Sequence, residues 1–280
     1  MNTKPKQHKV VSNAKVNLAL RITGRLDNGY HTISTLFQEI DFHDDLIFME
    51  SQSPEFTANI PGLPLDDDNL CIAAYNKLKP LRKIDCEFSV HLEKRIFMGA
   101  GLGGGSSNAA AVLKFLNQAW KIGLNDKELE KIGLDLGCDV PFFIKGGTQG
   151  GNHLGEELQP LDFPLDYALL LVNPGIHIST PWAYKKFSLT NKKNNYKFAG
   201  LLNNNVVQWQ MFENQFEKVV FQSYPEIGEI KSRLLKREAL YSGLSGSGST
   251  MVGIFEDKTQ AENAAGDFEN YSTITSLPVR

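Results

Sequence analysis

The first clear pattern in the chain is an alternation of apolar and polar positions near its beginning. Over residues 8–22 this alternation has the period of two that is typical of a half-buried β-strand. Its main apolar positions are Val16, Leu18, Leu20 and Ile22. Lys15 and Asn17 lie side by side on the opposite face. Two more strand-like runs follow at residues 33–42 and 45–50, so the pattern predicts that the chain opens with β structure.

Helical patterns begin after Asn69, which follows three acidic residues and precedes an amphipathic run that continues to Leu81. Asn and acidic residues favour a helix start because they suit the free amides and the dipole there. An apolar stripe at helical spacing predicts a second helix over residues 106–120. Asn125 with Glu128 resembles a capping box, which indicates a third helix that ends near residue 137.

The remaining elements alternate irregularly. Strands are predicted at residues 86–92, 167–173, 250–255 and 271–279. Helices are predicted at residues 206–222, 225–239 and 258–269, and Thr180 with Pro181 resembles an N-cap followed by proline at the first helical position. A polar loop at residues 191–195 is predicted to be mobile. This mixed order favours an α+β fold over a doubly wound sheet.

Composition narrows the class of protein. The chain has 280 residues, and 41% of them are hydrophobic, which excludes overall disorder. With 29 basic and 32 acidic residues the net charge is -3, so nucleic acid is not a predicted partner. Cys71, Cys86 and Cys138 are too few and too far apart for a disulfide framework or a metal site. They are therefore predicted to be buried thiols in a reducing compartment.

The predicted location is the cytoplasm, without a membrane partner. No apolar stretch follows the charged residues at the beginning of the sequence, so a signal peptide is not predicted. The longest clear apolar run, residues 168–172, is far shorter than the roughly 20 residues that a membrane-spanning helix needs.

The strongest chemical signal is the segment 99–108 (GAGLGGGSSN), in which five of ten residues are glycine. Glycines let the backbone approach a ligand closely, and the helix that follows offers free amides and a positive dipole end. Together they predict an anion site, where the hydroxyls of Ser106 and Ser107 suit a phosphate or Mg²⁺. A Walker A loop is excluded because the segment has no lysine. A dinucleotide site is disfavoured because the preceding strand alternates instead of being continuously apolar.

A second glycine-rich segment, residues 243–249, carries three interleaved serines. By itself it indicates either a tight hairpin or a second ligand loop. Its similar chemistry favours the interpretation that both segments meet around one ligand.

Three segments resemble the three motifs of the GHMP kinases, namely residues 12–18 (SNAKVNL), 99–108 and 244–249 (LSGSGS). The resemblance implies a two-lobed α+β fold with an ATP-binding domain at 1–156, a substrate domain at 157–280 and an active-site cleft between them. Residues 27–31 (DNGYH) and 137–142 (GCDVPF) are similar to one branch of that family. This branch uses ATP to phosphorylate the 2-hydroxyl of a cytidine diphosphate-linked methylerythritol in the non-mevalonate isoprenoid route.

The resemblance also implies roles for individual residues. Asp139 accepts the hydroxyl proton, and Lys15 holds charge near that hydroxyl and the γ-phosphate. Tyr30 and Tyr184 stack on the two faces of the cytosine, and His31 reads its edge. Asn17 and Thr180 are also assigned to the substrate. The residues assigned to ATP are Asn69, Lys94, Met98, Gly99, Ala100, Gly101, Leu102, Gly103, Gly104, Gly105, Ser106, Ser107 and Asn108. Mg²⁺ is expected on Ser107, Asp139 and ATP itself.

Two alternatives stay open at this point. A GHMP kinase for another small alcohol, such as homoserine or a sugar, has no need of the Tyr30–His31 pair, because such an alcohol has no base to stack. A nucleotide sensor without catalysis has no need of both Lys15 and Asp139. The sequence departs from the family pattern at Phe97, where proline is common, and at residues 152–156. It makes no prediction of oligomeric state.

Overall fold

A computed structural model describes residues 6–187, 201–203 and 206–280. By their contacts these residues form two compact units, each assembled from separate parts of the chain. Unit 1 contains the described residues up to Ala14, His43–Ile96 and Gly103–Lys145. Unit 2 contains Lys15–Phe42, Phe97–Leu102 and the described residues from Gly146 onward. The predicted mobile loop at 191–195 lies outside the described residues.

Helices and strands follow one another in mixed order, as the α+β prediction requires. The strands are β1 (Gln7–Arg25), β2 (His31–Ser51), β3 (Phe56–Ala58), β4 (Glu87–Glu93), β5 (Thr148–His153), β6 (Glu157–Pro160), β7 (Ala168–Asn173), β8 (Leu202–Asn203), β9 (Val206–Val207), β10 (Tyr241–Leu244), β11 (Met251–Phe255) and β12 (Ser272–Ser276). The α-helices are α1 (Leu70–Leu78), α2 (Gly104–Ala119), α3 (Asp126–Leu136), α4 (Val140–Lys145), α5 (Thr180–Lys186), α6 (Glu217–Ser223), α7 (Pro225–Lys236) and α8 (Lys258–Ala265). Short 3-10 helices cover Lys79–Leu81, Trp209–Met211 and Gly266–Phe268.

Unit 1 combines a small sheet with four helices. The second half of β2 pairs antiparallel with β4, and β3 pairs parallel with β4. In β4 the buried side chains are Phe88, Val90 and Leu92, which confirms the predicted period of two. Helix α2 packs against α1 and α4, and its apolar residues Val112, Leu113 and Leu116 are fully buried. This packing fixes the direction in which the first turn of α2 points.

Unit 2 contains a four-stranded antiparallel sheet in the order β10-β11-β7-β12. Helices α7 and α8 pack against this sheet. All six residues of β7 are buried, which accounts for the continuous apolar run in the sequence. Elsewhere in unit 2 the first half of β2 pairs with β5, and β5 pairs with β6.

Two predicted helix starts that rest on local side-chain contacts, those of α1 and α3, are confirmed. Asn69 caps α1, because its side-chain oxygen accepts a hydrogen bond from the amide of Cys71 at 2.9 Å. Asn125 and Glu128 form the predicted capping box of α3. Helix α2 begins at Gly104, two residues before its predicted start, with Gly103 as N-cap. Helix α5 begins at Thr180 after the N-cap Ser179, so the predicted cap at Thr180 is wrong by one residue.

Two other predictions about the elements are wrong, and one helix was not predicted. The separate strands at 33–42 and 45–50 are one continuous strand, β2, because hydrogen bonds and an ion pair to the residues after β4 satisfy Asp44 and Asp45 in its middle. The helix predicted from residue 206 begins only at Glu217, because the Asn214 side chain accepts the amide of Phe216 and forms a turn there. The sequence analysis also missed α4, which follows the turn that contains Asp139.

The cysteines differ in burial. Cys71 is buried on α1, and burial raises its pKa to about 12. Cys86 is partly buried. Cys138 is exposed, so the prediction of a buried thiol is wrong there, because the residue lies in the turn before α4. In the part of the chain that the structure describes, no helix is long and apolar enough to cross a membrane.

Candidate active site

The glycine-rich segment 99–108 has a backbone that side chains would obstruct. Gly101 has φ +81° and Gly103 has φ +68°, both in the left-handed region that favours glycine. A Cβ at Gly101 would also collide with the carbonyl oxygen of Ser245. Gly101 belongs to unit 2 and Gly103 to unit 1, so the two parts of the segment are described in turn.

In unit 1, the segment continues into the first turn of α2. The amide of Ser107 donates to the Gly103 carbonyl at 2.9 Å, which closes the first helical turn. The amides before Ser107 have no acceptor within the helix, as at every helix start. Gly105 is exposed, and a Cβ there would meet only Leu70 Cδ1, at 3.9 Å. The end of α2 thus presents free amides and the positive end of its dipole at an unobstructed surface.

Lys94 lies beneath this turn. A Cβ at Gly104 would be 2.8 Å from Lys94 Nζ and 3.0 Å from Ile96 Cγ2, so only glycine fits there without movement. The Lys94 ammonium donates to Asp44 Oδ2 at 2.5 Å, and both side chains are buried. Burial lowers the pKa of Lys94, and the neighbouring Asp44 carboxylate opposes that shift.

Buried polar side chains connect the same turn to β1 and β2. Ser107 Oγ and Ser12 Oγ are 2.7 Å apart and share a hydrogen bond. Asn108 Nδ2 donates to Ser12 Oγ at 2.9 Å and to Asp44 Oδ2 at 2.9 Å. Hydrogen bonds to Ser12 and Asp44 therefore fix Ser107 and Asn108 on the side of α2 that faces the core of unit 1.

Asp139 is half-buried in the turn between α3 and α4. The same turn begins at Gly137, where a Cβ would be 3.9 Å from Ser106 Oγ. The structure thus brings the turn that carries Asp139 next to the first turn of α2 within unit 1. Asn69 caps α1 and also donates to the carbonyl of Pro64 at 2.8 Å, so both ends of its amide have structural partners.

In unit 2, Lys15 lies in a buried polar row on β1 and β2. Its Nζ donates to Asn17 Oδ1 at 2.7 Å and lies 5.1 Å from the ring centroid of Phe37. Asn17 Nδ2 donates in turn to Thr35 Oγ1 at 2.7 Å, and Thr35 donates to the carbonyl of Ala19 at 2.8 Å. The predicted pairing of Lys15 with Asn17 is confirmed, although their face of the strand is buried.

The two glycine-rich segments are in contact within unit 2, as the sequence predicted. Ser245 Oγ donates to the Gly101 carbonyl at 2.8 Å and accepts the amide of Asn17 at 3.3 Å. The amide of Thr250 donates to the carbonyl of Ala100 at 3.4 Å. Residues of all three motif segments therefore meet at Ser245.

The aromatic residues assigned to the base occupy one region of unit 2. His31 stacks on Tyr184, with ring centroids 5.0 Å apart and planes 13° apart. Phe216 meets Tyr184 edge-on at 4.9 Å. Tyr30 is 62% exposed, as is suitable for a residue that meets a ligand. Burial lowers the pKa of His31, and Arg25 adds to the shift, so the ring is favoured in its neutral form.

Two further residues from the predicted site lie in unit 2. Thr180 Oγ1 and Ser247 Oγ share a hydrogen bond at 2.8 Å, which connects α5 to the loop after β10. Met98, just before the glycine-rich segment, is 56% exposed. Thr180 is thus hydrogen-bonded to the second glycine-rich segment, and Met98 directly precedes the first.

Sequence reasoning missed Asp44, the carboxylate that contacts Lys94. The predicted strands at 33–42 and 45–50 left Asp44 between them, whereas it is buried within β2. The signal that could have found Asp44 is its position between two strand-like runs that are close enough to form one strand. An acidic residue there needs a buried cation or several hydrogen-bond donors.

Comparison with known proteins gives consistent results. The GHMP kinases N terminal domain family matches residues 69–147, and the GHMP kinases C terminal family matches residues 194–272. A 4-diphosphocytidyl-2-C-methyl-D-erythritol kinase of Prosthecochloris aestuarii is 40% identical over 258 residues, which cover 90% of each chain. The enzyme of the same name from Thermodesulfovibrio yellowstonii is 40% identical over 92% of this chain and 93% of its own. The chain belongs to the 4-diphosphocytidyl-2-C-methyl-D-erythritol kinase family of GHMP kinases.

Solved structures agree with this family. A crystal structure of 4-(cytidine 5'-diphospho)-2C-methyl-D-erythritol kinase matches with a TM-score of 0.85 and 28% identity, over 98% of this chain and 100% of the other. The mevalonate kinase of Methanococcus jannaschii matches with a TM-score of 0.72 over 99% of this chain and 100% of its own. At 14% identity this second match shows the shared GHMP kinase fold alone.

Two departures from the kinase family's usual pattern have local structural explanations. Phe97, where the family commonly has proline, packs its ring against Phe42 at 5.4 Å. In the segment 152–156, His153 and Glu156 form an ion pair at 2.5 Å, and Glu156 also accepts the amide of Leu154. Glu156 raises the pKa of His153, as expected of a carboxylate beside an imidazole.

Proposed function

We propose that this chain transfers the γ-phosphoryl group of ATP to the 2-hydroxyl of 4-diphosphocytidyl-2-C-methyl-D-erythritol. The products are the 2-phosphate and ADP, in the non-mevalonate route to isoprenoid precursors. The observation that carries the proposal is the 40% identity to enzymes of this name over about nine-tenths of each chain. The geometry of the described residues supports it at each part of the reaction.

ATP is bound at the glycine-rich segment, with its phosphates at the first turn of α2. The exposed Gly105, the free amides and the Lys94 ammonium beneath Gly104 support this placement. Ser106 and Ser107 add hydroxyls at the same turn. A triphosphate favours such a position because helix dipole, amides and cation all stabilise negative charge. Met98 and Asn69 flank the nucleotide in this proposal.

Asp139 accepts the proton of the substrate hydroxyl as the oxygen attacks the γ-phosphorus. Lys15 stabilises the negative charge that develops on the transferred group. Phosphoryl transfer needs positioning and charge stabilisation more than covalent chemistry, and a carboxylate with a lysine can supply both. Asn17 and Thr35 support this role of Lys15, because together they hold its ammonium in one place.

Mg²⁺ fits as an ion that takes most of its ligands from ATP and water. Within the described residues no group of three or more His, Cys, Asp or Glu could form a metal cage. Mg²⁺ commonly binds through one or two protein oxygens plus substrate phosphates, and Ser107 and Asp139 offer such oxygens in unit 1. When bound, the ion would neutralise charge on the phosphates.

The cytidine end of the substrate is bound in unit 2. Cytosine stacks on Tyr30 and Tyr184, and His31 moves from the face of Tyr184 to hydrogen-bond the edge of the base. The neutral state that is favoured for His31 suits this role, because a neutral imidazole has one donor and one acceptor. Thr180 and Asn17 face the rest of the substrate. In this proposal residues 1–156 form the ATP-binding domain, and residues 157–280, with Thr180 and Tyr184, form the substrate-binding domain.

The test is turnover of ATP to ADP with purified chain and one acceptor at a time. We expect turnover with the diphosphocytidyl substrate and none above background with homoserine, mevalonate or galactose. Turnover only with a small alcohol would favour another GHMP kinase activity. ATP binding without turnover of any acceptor would favour a nucleotide sensor.

A further inference from the structure

The position of Lys94 is unfavourable for a cation by itself. Its side chain is 6% exposed, and its ammonium lies under Gly104, at the N-terminal end of α2. The dipole of a helix favours anions at that end and disfavours cations. Burial adds to this cost, and it is the main reason why the pKa of Lys94 is lowered.

Asp44 offsets this cost with a fully buried carboxylate. Its Oδ2 accepts from Lys94 Nζ at 2.5 Å and from Asn108 Nδ2 at 2.9 Å. Its Oδ1 accepts the backbone amides of Arg95 at 2.7 Å and Ile96 at 2.8 Å. One carboxylate thus connects β2, the residues after β4 and helix α2, and its Oδ2 holds the Lys94 ammonium.

Stability alone does not explain this pair. A buried ion pair seldom stabilises a fold more than an apolar pair of the same size would, because both charges must leave water. A lysine that is held charged at an open helix end is suited instead to an incoming anion. The pair lies at the turn where the glycines leave the backbone unobstructed.

We propose that Asp44 is a positioning residue for ATP, which holds the Lys94 ammonium and the first turn of α2 in the arrangement that receives the phosphates. The inference rests on the proposed function, because it takes the end of α2 as the phosphate site. Asp44 itself does not touch ATP. It acts through Lys94, and this makes the inference distinguishable from a general structural role.

The first test compares Asp44→Asn with Asp45→Asn. Asp45 is the next residue of β2 and is also buried, but it contacts Lys9 at 3.0 Å, Arg95 at 2.7 Å and His43 at 3.8 Å. We expect Asp44→Asn to raise KM for ATP about tenfold or more, with KM for the diphosphocytidyl substrate within about twofold of wild type. Asp45→Asn should leave both values within about twofold. A parallel rise of both KM values in Asp44→Asn would overturn the inference.

The second test is a double-mutant cycle with Lys94→Met, read by calorimetry as the Kd for ATP. If Asp44 acts through Lys94, the double variant should bind ATP within about twofold of Lys94→Met alone. A further loss of about tenfold in the double variant would show that Asp44 acts independently, and would overturn the inference. The double variant lacks both charges and therefore leaves no buried charge without a partner. It can still be measured if Asp44→Asn does not fold.

The same measurements separate this inference from the proposed substrate. A wild-type chain that binds ATP with an Asp44-dependent Kd, but does not turn over the diphosphocytidyl substrate, would reject the substrate and keep the inference. If the wild-type chain turns over the substrate, and KM for ATP is equal in wild type and Asp44→Asn, the proposed substrate is kept and the inference about Asp44 is rejected. A wild-type chain that binds no ATP would reject both.

Discussion

Lys15 and Lys94 are both buried, and hydrogen bonds from each ammonium help to fix its position. Lys94 contacts a carboxylate, whereas Lys15 donates to the amide oxygen of Asn17 and lies against the ring of Phe37. Asn17 is in turn held by Thr35. Asn17 thus helps to position the ammonium of Lys15. Such a lysine suits a role in stabilising charge that develops during a reaction.

Asp139→Asn should remove nearly all turnover while the chain keeps its fold and its affinity for ATP. Asn cannot accept the hydroxyl proton, and loss of a general base typically costs about 10²–10⁴-fold in rate. Single-turnover kinetics with the diphosphocytidyl substrate, together with calorimetry for ATP, would measure both effects. The control is Asp135→Asn, an exposed acid of α3 that pairs with Lys77. More than about a tenth of the wild-type rate in Asp139→Asn would refute the assignment of the base.

Tyr184→Ala should weaken binding of the cytidine-containing substrate and leave ATP binding unchanged. Stacking of a base on an aromatic ring is worth about 1–3 kcal/mol, which corresponds to a rise in KM of roughly 5- to 150-fold. The variant also removes the ring on which His31 stacks. Tyr184→Phe is the matched control, because it keeps the ring and should change KM little. Equal changes of KM for ATP and for the substrate would argue against a base site at Tyr184.

At the scale of elements, the first turn of α2 contains adjacent glycines with opposite surroundings. A Cβ at Gly104 would press on Lys94 and Ile96, whereas one at Gly105 would make only an ordinary contact with Leu70 Cδ1 at 3.9 Å. Packing therefore explains a glycine at 104 but not at 105. Glycine costs stability in a helix relative to alanine, so its presence at 105 calls for a reason outside the fold.

Gly105→Ala should stabilise the chain and weaken ATP binding. The gain in the free energy of unfolding should be up to about 1 kcal/mol, because alanine favours helix. The loss of ATP affinity should follow because the new methyl group stands where we propose that the phosphates approach the backbone. Denaturant titration and calorimetry measure the two effects. In contrast, Gly104→Ala should lower both stability and ATP affinity. Unchanged ATP affinity in Gly105→Ala would place the phosphates elsewhere.

Elements were predictable where the deciding contacts are local. The caps of α1 and α3 depend on residues two or three positions apart, and the sequence showed both. Strand β2 was divided in error because the partners of Asp44 lie some fifty residues farther along the chain. The short helix α4 was missed because Pro141 suggested a turn, although proline is tolerated in the first turn of a helix.

The site was predictable to a different extent. Family motifs pointed to the residues with proposed chemical roles, whose individual functions remain predictions. The supporting residues, Asp44 and Thr35 among them, carry no motif, because their role arises from contacts that only the folded chain makes. For the loop at Ser245 the sequence predicted contact with the first glycine-rich segment, but the individual hydrogen bonds became known only from the structure.

For the whole molecule, we expect each ligand to raise the Tm through its own site. A ligand that binds only the folded chain at a concentration of 100 times Kd adds about 2.7 kcal/mol of stability. ATP and the diphosphocytidyl substrate should each shift the Tm of wild type in differential scanning fluorimetry. Gly104→Ala should lose mainly the shift with ATP, and Tyr184→Ala mainly the shift with the substrate. Loss of both shifts in either variant would argue against separate sites.

Strand β2 contributes to both compact units, and this affects how genes of the family can recombine. Its first half pairs with β5, from Ile33 with His153 to Gln38 with Thr148, while its second half pairs with β4. A single crossover between two parental genes, anywhere from residue 52 to 147, would take β2 from one parent and β5 from the other. The facing side chains would then have no shared history of selection. Shuffled libraries should therefore be depleted in such single crossovers, whereas paired crossovers that exchange residues 103–145 as a block should survive more often.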